Sequence, residues 1–309
     1  MSALLPSPDP RVTERRNSRT VDIDLATALG IVQMMSAEDR TVADTVAAQL
    51  PSIARAVEFA EAAFRAGGRL LYAGAGTSGR LGVLDASECP PTFGVKPDMV
   101  VGIIAGGDTA LRSAVEGAED VREEGAKAMD AHNVNSKDFF VGIAASGTTP
   151  YVQAALQRAR ELGARTGLVA CSPPPEAMLA HVDVEMTVVT GPEALTGSTR
   201  LKAGTATKLV LNMITTGAMI RIGKTWGNLM IDLRATNVKL KFRALRMVIE
   251  VCGVGEGEAA TLLAAANDSV KIAIVMHSLG VNAADAEERI KSAGGLVRRV
   301  ITMTPPPVA

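Results

Sequence analysis

The chain alternates between short unbroken apolar runs and longer stretches whose apolar residues recur at helical spacing. The runs fall at 69–73, 99–105, 139–145, 166–171 and 184–190 and are rich in Val, Ile and Leu. An apolar run with no polar alternation is what a strand covered on both faces requires. Helical patterns separate the runs, near 78–87, 109–130, 149–162 and 174–180. This repetition predicts an α/β fold, a doubly wound parallel sheet with right-handed crossovers. Ligands of such sheets sit beyond the carboxyl ends of the strands, so the turns there are the first place to look for chemistry.

Both flanks read differently. Residues 13–24 are polar and predict an extended segment lying over another surface. Ser36 with Asp39 predicts a capping box that starts a helix near Ala37. Pro51 suits the first turn of the next helix, which runs through Ala54, Val57, Phe59 and Ala63 to Gly67-Gly68. These helices form a preface to the sheet. After 190 a loop leads into a long helix reaching about Ile222, and the chain from 228 onward is mostly helical. Residues 255–296 predict three short amphipathic helices, split near Asp268 and near Gly280-Val281-Asn282. The expected organisation is a disordered lead-in over 1–12, a catalytic or binding domain over 13–248, and a small helical domain over 249–309.

Composition narrows the function. Aromatic residues make up only 3% of the 309, which leaves the core to Ala, Val, Ile, Leu and Met and argues against base-stacking platforms for nucleic acid. A net charge of −1 provides no basic field for nucleic acid or a membrane surface. No uncharged apolar run reaches the ~20 residues that span a bilayer. The opening MSALLPSPDPR has neither the basic start nor the apolar stretch of a signal peptide. Three scattered cysteines (Cys89, Cys171, Cys252) and three scattered histidines fit a reducing cytoplasm and show no metal-ligand spacing.

The stretch Tyr72–Gly94, YAGAGTSGRLGVLDASECPPTFG, carries the strongest signal. It leaves a strand, turns on Gly74, Gly76 and Gly79, offers the hydroxyls of Thr77 and Ser78, and enters a helix expected to stop at Pro90-Pro91. Strand, glycine turn and helix aim backbone N–H groups at an anion. Gly74–Gly79 also matches G-x-G-x-x-G, but Asp108 comes too late for the ribose-binding acid of a dinucleotide site. The alternative is that small residues merely let helix and strand pack. Ser146-Gly147-Thr148-Thr149-Pro150 repeats the device after the third strand, where the plain reading is an ordinary N-cap. Two such turns on neighbouring strands can surround one phosphate. Thr196–Thr205, which includes Ser198, Thr199, Arg200 and Lys202, is dense in hydroxyls and cations and suits anion or sugar contact, or else a capped helix start. Gly223-Lys224-Thr225 fails as a P-loop because Ala218 stands where glycine is required. For acid–base work the candidates are Glu88, read at a helix end beside the phosphate turn, and Glu116, Glu119 and Glu123, read on the helix after the second strand.

At these residues a resemblance becomes specific. The two Ser/Thr turns resemble the sugar isomerase (SIS) fold. AGAGTSGRLGVLDASECPPTFG, AVEGAED and TGSTRLKAGTATKLVLN resemble the N-acetylmuramic acid 6-phosphate etherases, and the last also resembles a signature of the glucokinase regulatory protein. The likeness covers residues 13–300. It implies a cytoplasmic homodimer without metal or organic cofactor. It also implies a lyase that cleaves the D-lactyl ether of N-acetylmuramic acid 6-phosphate, giving N-acetylglucosamine 6-phosphate and D-lactate in cell-wall sugar recycling. By motif the two catalytic acids fall on Glu88 (in SEC) and Glu119 (in GAED), with Glu119 expected to act on carbon 2 and Glu88 on lactate and water. Phosphate anchoring falls to Thr77, Ser78, Ser146, Gly147, Thr148 and Thr149. Ser198, Thr199, Arg200 and Lys202 are further contacts, to this subunit's site or a neighbour's. The alternatives are a sugar-phosphate-binding regulatory protein without catalysis and an aldose–ketose isomerase.

Overall fold

The computed structural model describes residues 9–232 and 238–303. The expected lead-in therefore lies largely outside the described residues. In chain order the elements before the sheet are α1 (Ala28–Asp39), α2 (Val42–Ala47) and α3 (Leu50–Arg65). The sheet region follows: β1 (Leu70–Gly74), α4 (Gly76–Phe93), β2 (Val100–Ile104), α5 (Thr109–Arg112), α6 (Arg122–Ala131), β3 (Phe139–Ala144), α7 (Pro150–Glu161), β4 (Arg165–Ala170), α8 (Glu176–Leu179) and β5 (Val184–Thr187). Then come α9 (Lys202–Arg221), the strands β6 (Thr225–Trp226) and β7 (Leu229–Met230), and α10 (Val238–Cys252), α11 (Glu256–Ala265), α12 (Val270–Leu279), α13 (Ala283–Ser292) and α14 (Val297–Met303).

Two compact units result. One gathers residues up to Ser87 with Asp98–Thr215, and the other gathers Glu88–Pro97 with the chain from Thr216 onward. The boundary expected at 248/249 falls inside α10, because α10 buries Ala244, Met247 and Val248 in the same cluster as Leu263 and Ile274 of α11 and α12. The second unit is the small helical one, with the β6–β7 hairpin on it.

The first unit holds a parallel sheet of five strands in the order β2-β1-β3-β4-β5. Successive residues of each strand serve opposite faces. Leu71, Phe140 and Leu168 pack with Val152, Leu156 and Met129 of α7 and α6. On the other face Phe139 meets Phe59 of α3 edge-on, with ring centroids 5.6 Å apart. Both faces are thus covered, which is why the strands read as unbroken apolar runs.

The segment before α1 departs from expectation. It is not extended but winds through three short 3₁₀ turns, at Val12–Glu14, Ser18–Thr20 and Ile23–Leu25. It does lie over another surface. The Thr13 N–H donates to Ser172 Oγ at 3.2 Å, Asn17 Nδ2 to the Pro192 carbonyl at 3.2 Å, and Thr20 Oγ1 to the Ala194 carbonyl at 2.8 Å. Helix α1 starts at Ala28, capped by Thr27, and Ser36 lies in its last turn rather than at its start. The Ser36/Asp39 pattern lost because an earlier Thr cap opens the same apolar stretch. Helix α4 runs on through Pro90 and Pro91 to Phe93. Proline's fixed φ is helical, and near a helix end only the last bonds are lost.

Candidate functional site

Between β1 and α4, Gly76 takes the left-handed conformation (φ +53°) with open space around it. Gly74 and Gly79 serve a different purpose. A Cβ on Gly79 would stand 2.6 Å from the Gly74 carbonyl oxygen and 2.6 Å from Ile104 Cγ1. Packing and turning in this motif therefore fall to different glycines. The outer pair seats the helix against the sheet, and Gly76 turns the chain so that Thr77 and Ser78 open α4.

Strand β3 lies beside β1, with Gly74 in register with Ile143, so its turn is adjacent. Gly147 (φ +76°) turns the chain and donates its N–H to the Ala144 carbonyl at 2.8 Å. Ser146 Oγ lies 3.1 Å from Thr148 Oγ1 and accepts from the Thr148 N–H at 3.3 Å. Thr149 precedes α7 but its side chain makes no capping bond, so the N–H groups that open α7 keep their donor capacity.

These turns wall one polar cavity of about 250 Å³, lined by Thr77, Ser78, Ser146 and Thr149 together with Glu119. Arg11, Glu14, Gly197 and Thr199 complete its lining. Thr148 and Gly147 shape the turn without lining the cavity. Helix N-termini and hydroxyls around one space are suited to a phosphate monoester.

The loop before α9 divides by residue. Thr199 reaches the cavity, Ser198 is half-buried beside it, and Arg200 is exposed elsewhere. Lys202 is a correction. Its side chain is 1% exposed and its ammonium donates to Glu38 at 2.7 Å, so it is a core ion pair rather than a cavity cation. Glu193 accepts from the backbone N–H groups of Lys202 and Ala203 at 2.9 and 3.0 Å. The start of α9 is thereby capped from within. Burial pushes the Glu193 carboxyl above its ordinary range, against those two donors.

The carboxylates are placed as follows. The helix expected over 109–130 is broken: Ser113 is extended, Gly117 is left-handed (φ +73°), and a 3₁₀ turn at Ala118–Asp120 precedes α6. The break carries Glu119 to the cavity. Glu116 lines an adjoining cavity of about 160 Å³ that also touches Gly76, Arg80 and Glu119, and Glu123 lies outside both. Glu88 is exposed on α4, within the stretch that belongs to the second unit, and the helix does not end there. Neither Glu88 nor Glu119 is buried.

Sequence reasoning missed Arg11 and Glu14, which it assigned to the lead-in and to a polar segment, and Arg80, which sits in plain view within the glycine motif. It also missed Asp85 on α4, a buried carboxyl that accepts from Asn212 and Thr215 and is pushed above its ordinary value by burial. Among the described residues no cluster of His, Cys, Asp or Glu is arranged to hold a metal ion. Nor is any single helix among them long and apolar enough to cross a membrane.

Residues 52–160 match the family model of the glucokinase regulatory protein N-terminal SIS domain. The N-acetylmuramic acid 6-phosphate etherases of Salmonella agona (strain SL483) and Salmonella typhi are each 51% identical over 290 residues, covering 94% of this chain and 97% of theirs. A phosphoheptose isomerase from Francisella tularensis aligns with a TM-score of 0.49 at 19% identity, over 62% of this chain and 100% of its own.

Proposed function

Because this chain belongs to the N-acetylmuramic acid 6-phosphate etherase family, we propose that it cleaves the D-lactyl ether of N-acetylmuramic acid 6-phosphate to N-acetylglucosamine 6-phosphate and D-lactate, in cell-wall sugar recycling. The observation that carries the reading beyond the family is the single cavity in which two hydroxyl-bearing turns and Glu119 meet.

The chemistry follows from the substrate. An ether resists direct hydrolysis, whereas the open-chain sugar has an aldehyde that acidifies the proton on carbon 2. Glu119 takes that proton, the carbon 2–carbon 3 double bond forms, and the bond from carbon 3 to the lactyl oxygen breaks. Glu88 protonates the departing lactate oxygen. Water then adds at carbon 3, losing a proton to Glu88, and carbon 2 regains its proton from Glu119. General acid–base help of this kind is worth about 10²–10⁴ in rate. Glu88 enters through its motif, Ser87-Glu88-Cys89. Thr77, Ser78, Ser146 and Thr149 hold the 6-phosphate, with Gly147 and Thr148 shaping the turn, Ser198 and Thr199 are auxiliary contacts, and Arg200 serves a neighbouring subunit's site. Phosphate binding remote from the reacting bond positions carbon 2. The protein acts as a cytoplasmic homodimer in this reading.

D-lactate release from N-acetylmuramic acid 6-phosphate, with Glu119→Gln and Glu88→Ala alongside, is the test. Wild type should release lactate and each variant should lose at least about 10²-fold in rate. Tight binding of the sugar phosphate with no lactate from wild type would turn the reading to a non-catalytic sensor.

A further inference from the structure

The cavity that adjoins the phosphate turns is lined by Arg80 together with two carboxylates, Glu116 and Glu119. Arg80 stands in the second turn of α4, and Glu119 in the 3₁₀ turn Ala118–Asp120. Its Nε donates to the Leu111 carbonyl at 3.1 Å, which fixes the plane of the guanidinium. Among the described residues no acceptor is bonded to its Nη1 or Nη2. The other cation lining these two cavities is Arg11, and its fork is already closed on Asp9, at 3.0 Å from Nε and 2.7 Å from Nη2. Lys202 is likewise committed to Glu38. Three carboxylates (Glu14, Glu116 and Glu119) thus line the two cavities with one guanidinium whose Nη edge is open.

That imbalance matters for the substrate in the proposed reaction, on which this inference rests. N-acetylmuramic acid 6-phosphate has a second anion besides its phosphate, the carboxylate of the lactyl group. Carried towards Glu119 and Glu116 alone, that carboxylate would be repelled. A guanidinium with a free edge presents two parallel donors that match a carboxylate bidentately. We propose that Arg80 is the specificity-determining residue that binds the lactyl carboxylate, and so distinguishes the ether substrate from sugar phosphates that lack it. The phosphate turns recognise one end of the substrate and Arg80 the other. The bond to be broken lies between them, within reach of Glu119. The Leu111 bond makes the site rigid, because the side chain cannot rotate without giving up that acceptor.

The test compares three ligands on wild type, Arg80→Met and Arg80→Lys: N-acetylmuramic acid 6-phosphate, its lactyl carboxamide, and N-acetylglucosamine 6-phosphate, which keeps the phosphate but has no lactyl group. Loss of a charged hydrogen-bonding partner corresponds to about 10- to 100-fold in affinity. Wild type should bind the acid that much more tightly than the carboxamide. Arg80→Met should bind the two alike, and should bind N-acetylglucosamine 6-phosphate within about twofold of wild type, which also reports that it is folded. Arg80→Lys should recover part of the preference for the acid. Equal loss for all three ligands would make Arg80 a phosphate contact and overturn the assignment. Wild type that does not distinguish acid from carboxamide overturns it without any variant. Failure of wild type to release lactate is a separate outcome, since it rejects the etherase reading while the acid-against-carboxamide comparison is still read by binding.

Discussion

Glu38 and Lys202, 164 residues apart in sequence, meet at 2.7 Å with side chains 2% and 1% exposed. Arg19 forks the same carboxylate, its Nε on Oε1 and its Nη2 at 2.8 Å on the Oε2 that Lys202 also takes, but is itself largely in water. Removing one partner of a buried pair costs roughly 3 kcal/mol, so Lys202→Met should lower unfolding stability by about that amount in urea titrations. The pair also fixes a pH dependence. Arg19, then Lys202, hold the Glu38 carboxyl down from 4.5 to about 2. A depressed carboxylate adds stability that is complete above its unfolded value and lost as pH falls through the folded one. Wild type should therefore weaken between pH 4.5 and 2, and Lys202→Met should weaken less across the same window. Parallel curves for the two proteins would contradict the role of Lys202.

Asp85 titrates in the opposite sense. Burial raises its carboxyl above the ordinary 3.8, with Asn212 and Thr215 opposing. A raised carboxyl favours the folded state most at low pH and loses that advantage as pH climbs through the folded value. Asp85→Asn keeps an acceptor for Asn212 and Thr215 but cannot ionise. Its stability should therefore exceed that of wild type increasingly as pH rises above 3.8, measured by denaturant midpoints at several pH values.

The glycines of the first turn should separate under substitution. Gly79→Ala forces a methyl to within 2.6 Å of backbone and Ile104, an overpacking worth about 1–3 kcal/mol. Gly76→Ala meets nothing within 4 Å and costs only the left-handed backbone, about 1 kcal/mol. Thermal melts should rank Gly79→Ala below Gly76→Ala. The reverse order would mean that turn geometry, not helix seating, dominates.

Ser146→Ala and Thr77→Val should each raise KM for N-acetylmuramic acid 6-phosphate about tenfold, the equivalent of one hydrogen bond. The sugar lacking the 6-phosphate should bind far worse than the phosphorylated one, and neither variant should change that weaker binding. An equal penalty on both sugars would remove these hydroxyls from phosphate binding.

The strands were legible because a sheet covered on both faces leaves an apolar run without alternation, and the glycine turns because left-handed backbone selects glycine. Gly117 is the instructive failure. It interrupts what reads as one helix over 109–130, and the interruption is what carries Glu119 to the cavity. Isolated glycines inside helical patterns are ambiguous until the packing is known. Lys202 misled for another reason. A lysine beside Ser and Thr reads as a ligand contact, and its partner Glu38 is too distant in sequence for any local pattern to reveal the pair. Arg80 lay within the strongest motif, but its spare donors became apparent only once Leu111 was seen to take one edge.

The segment at Val12–Thr20 is the part of the cavity wall that contains Glu14, and it is held by partners as late in the chain as Ser172, Pro192 and Ala194. Such long loops are the slowest to close, because their entropy is spent before any contact repays it. Thr13 and Thr20 have a place to dock only once partners 159 and 174 residues further along the chain are in position. The sheet and its phosphate turns are complete earlier in chain order. The Glu14 side of the pocket therefore closes through contacts of far greater sequence separation than those that shape the Ser146 turn it faces.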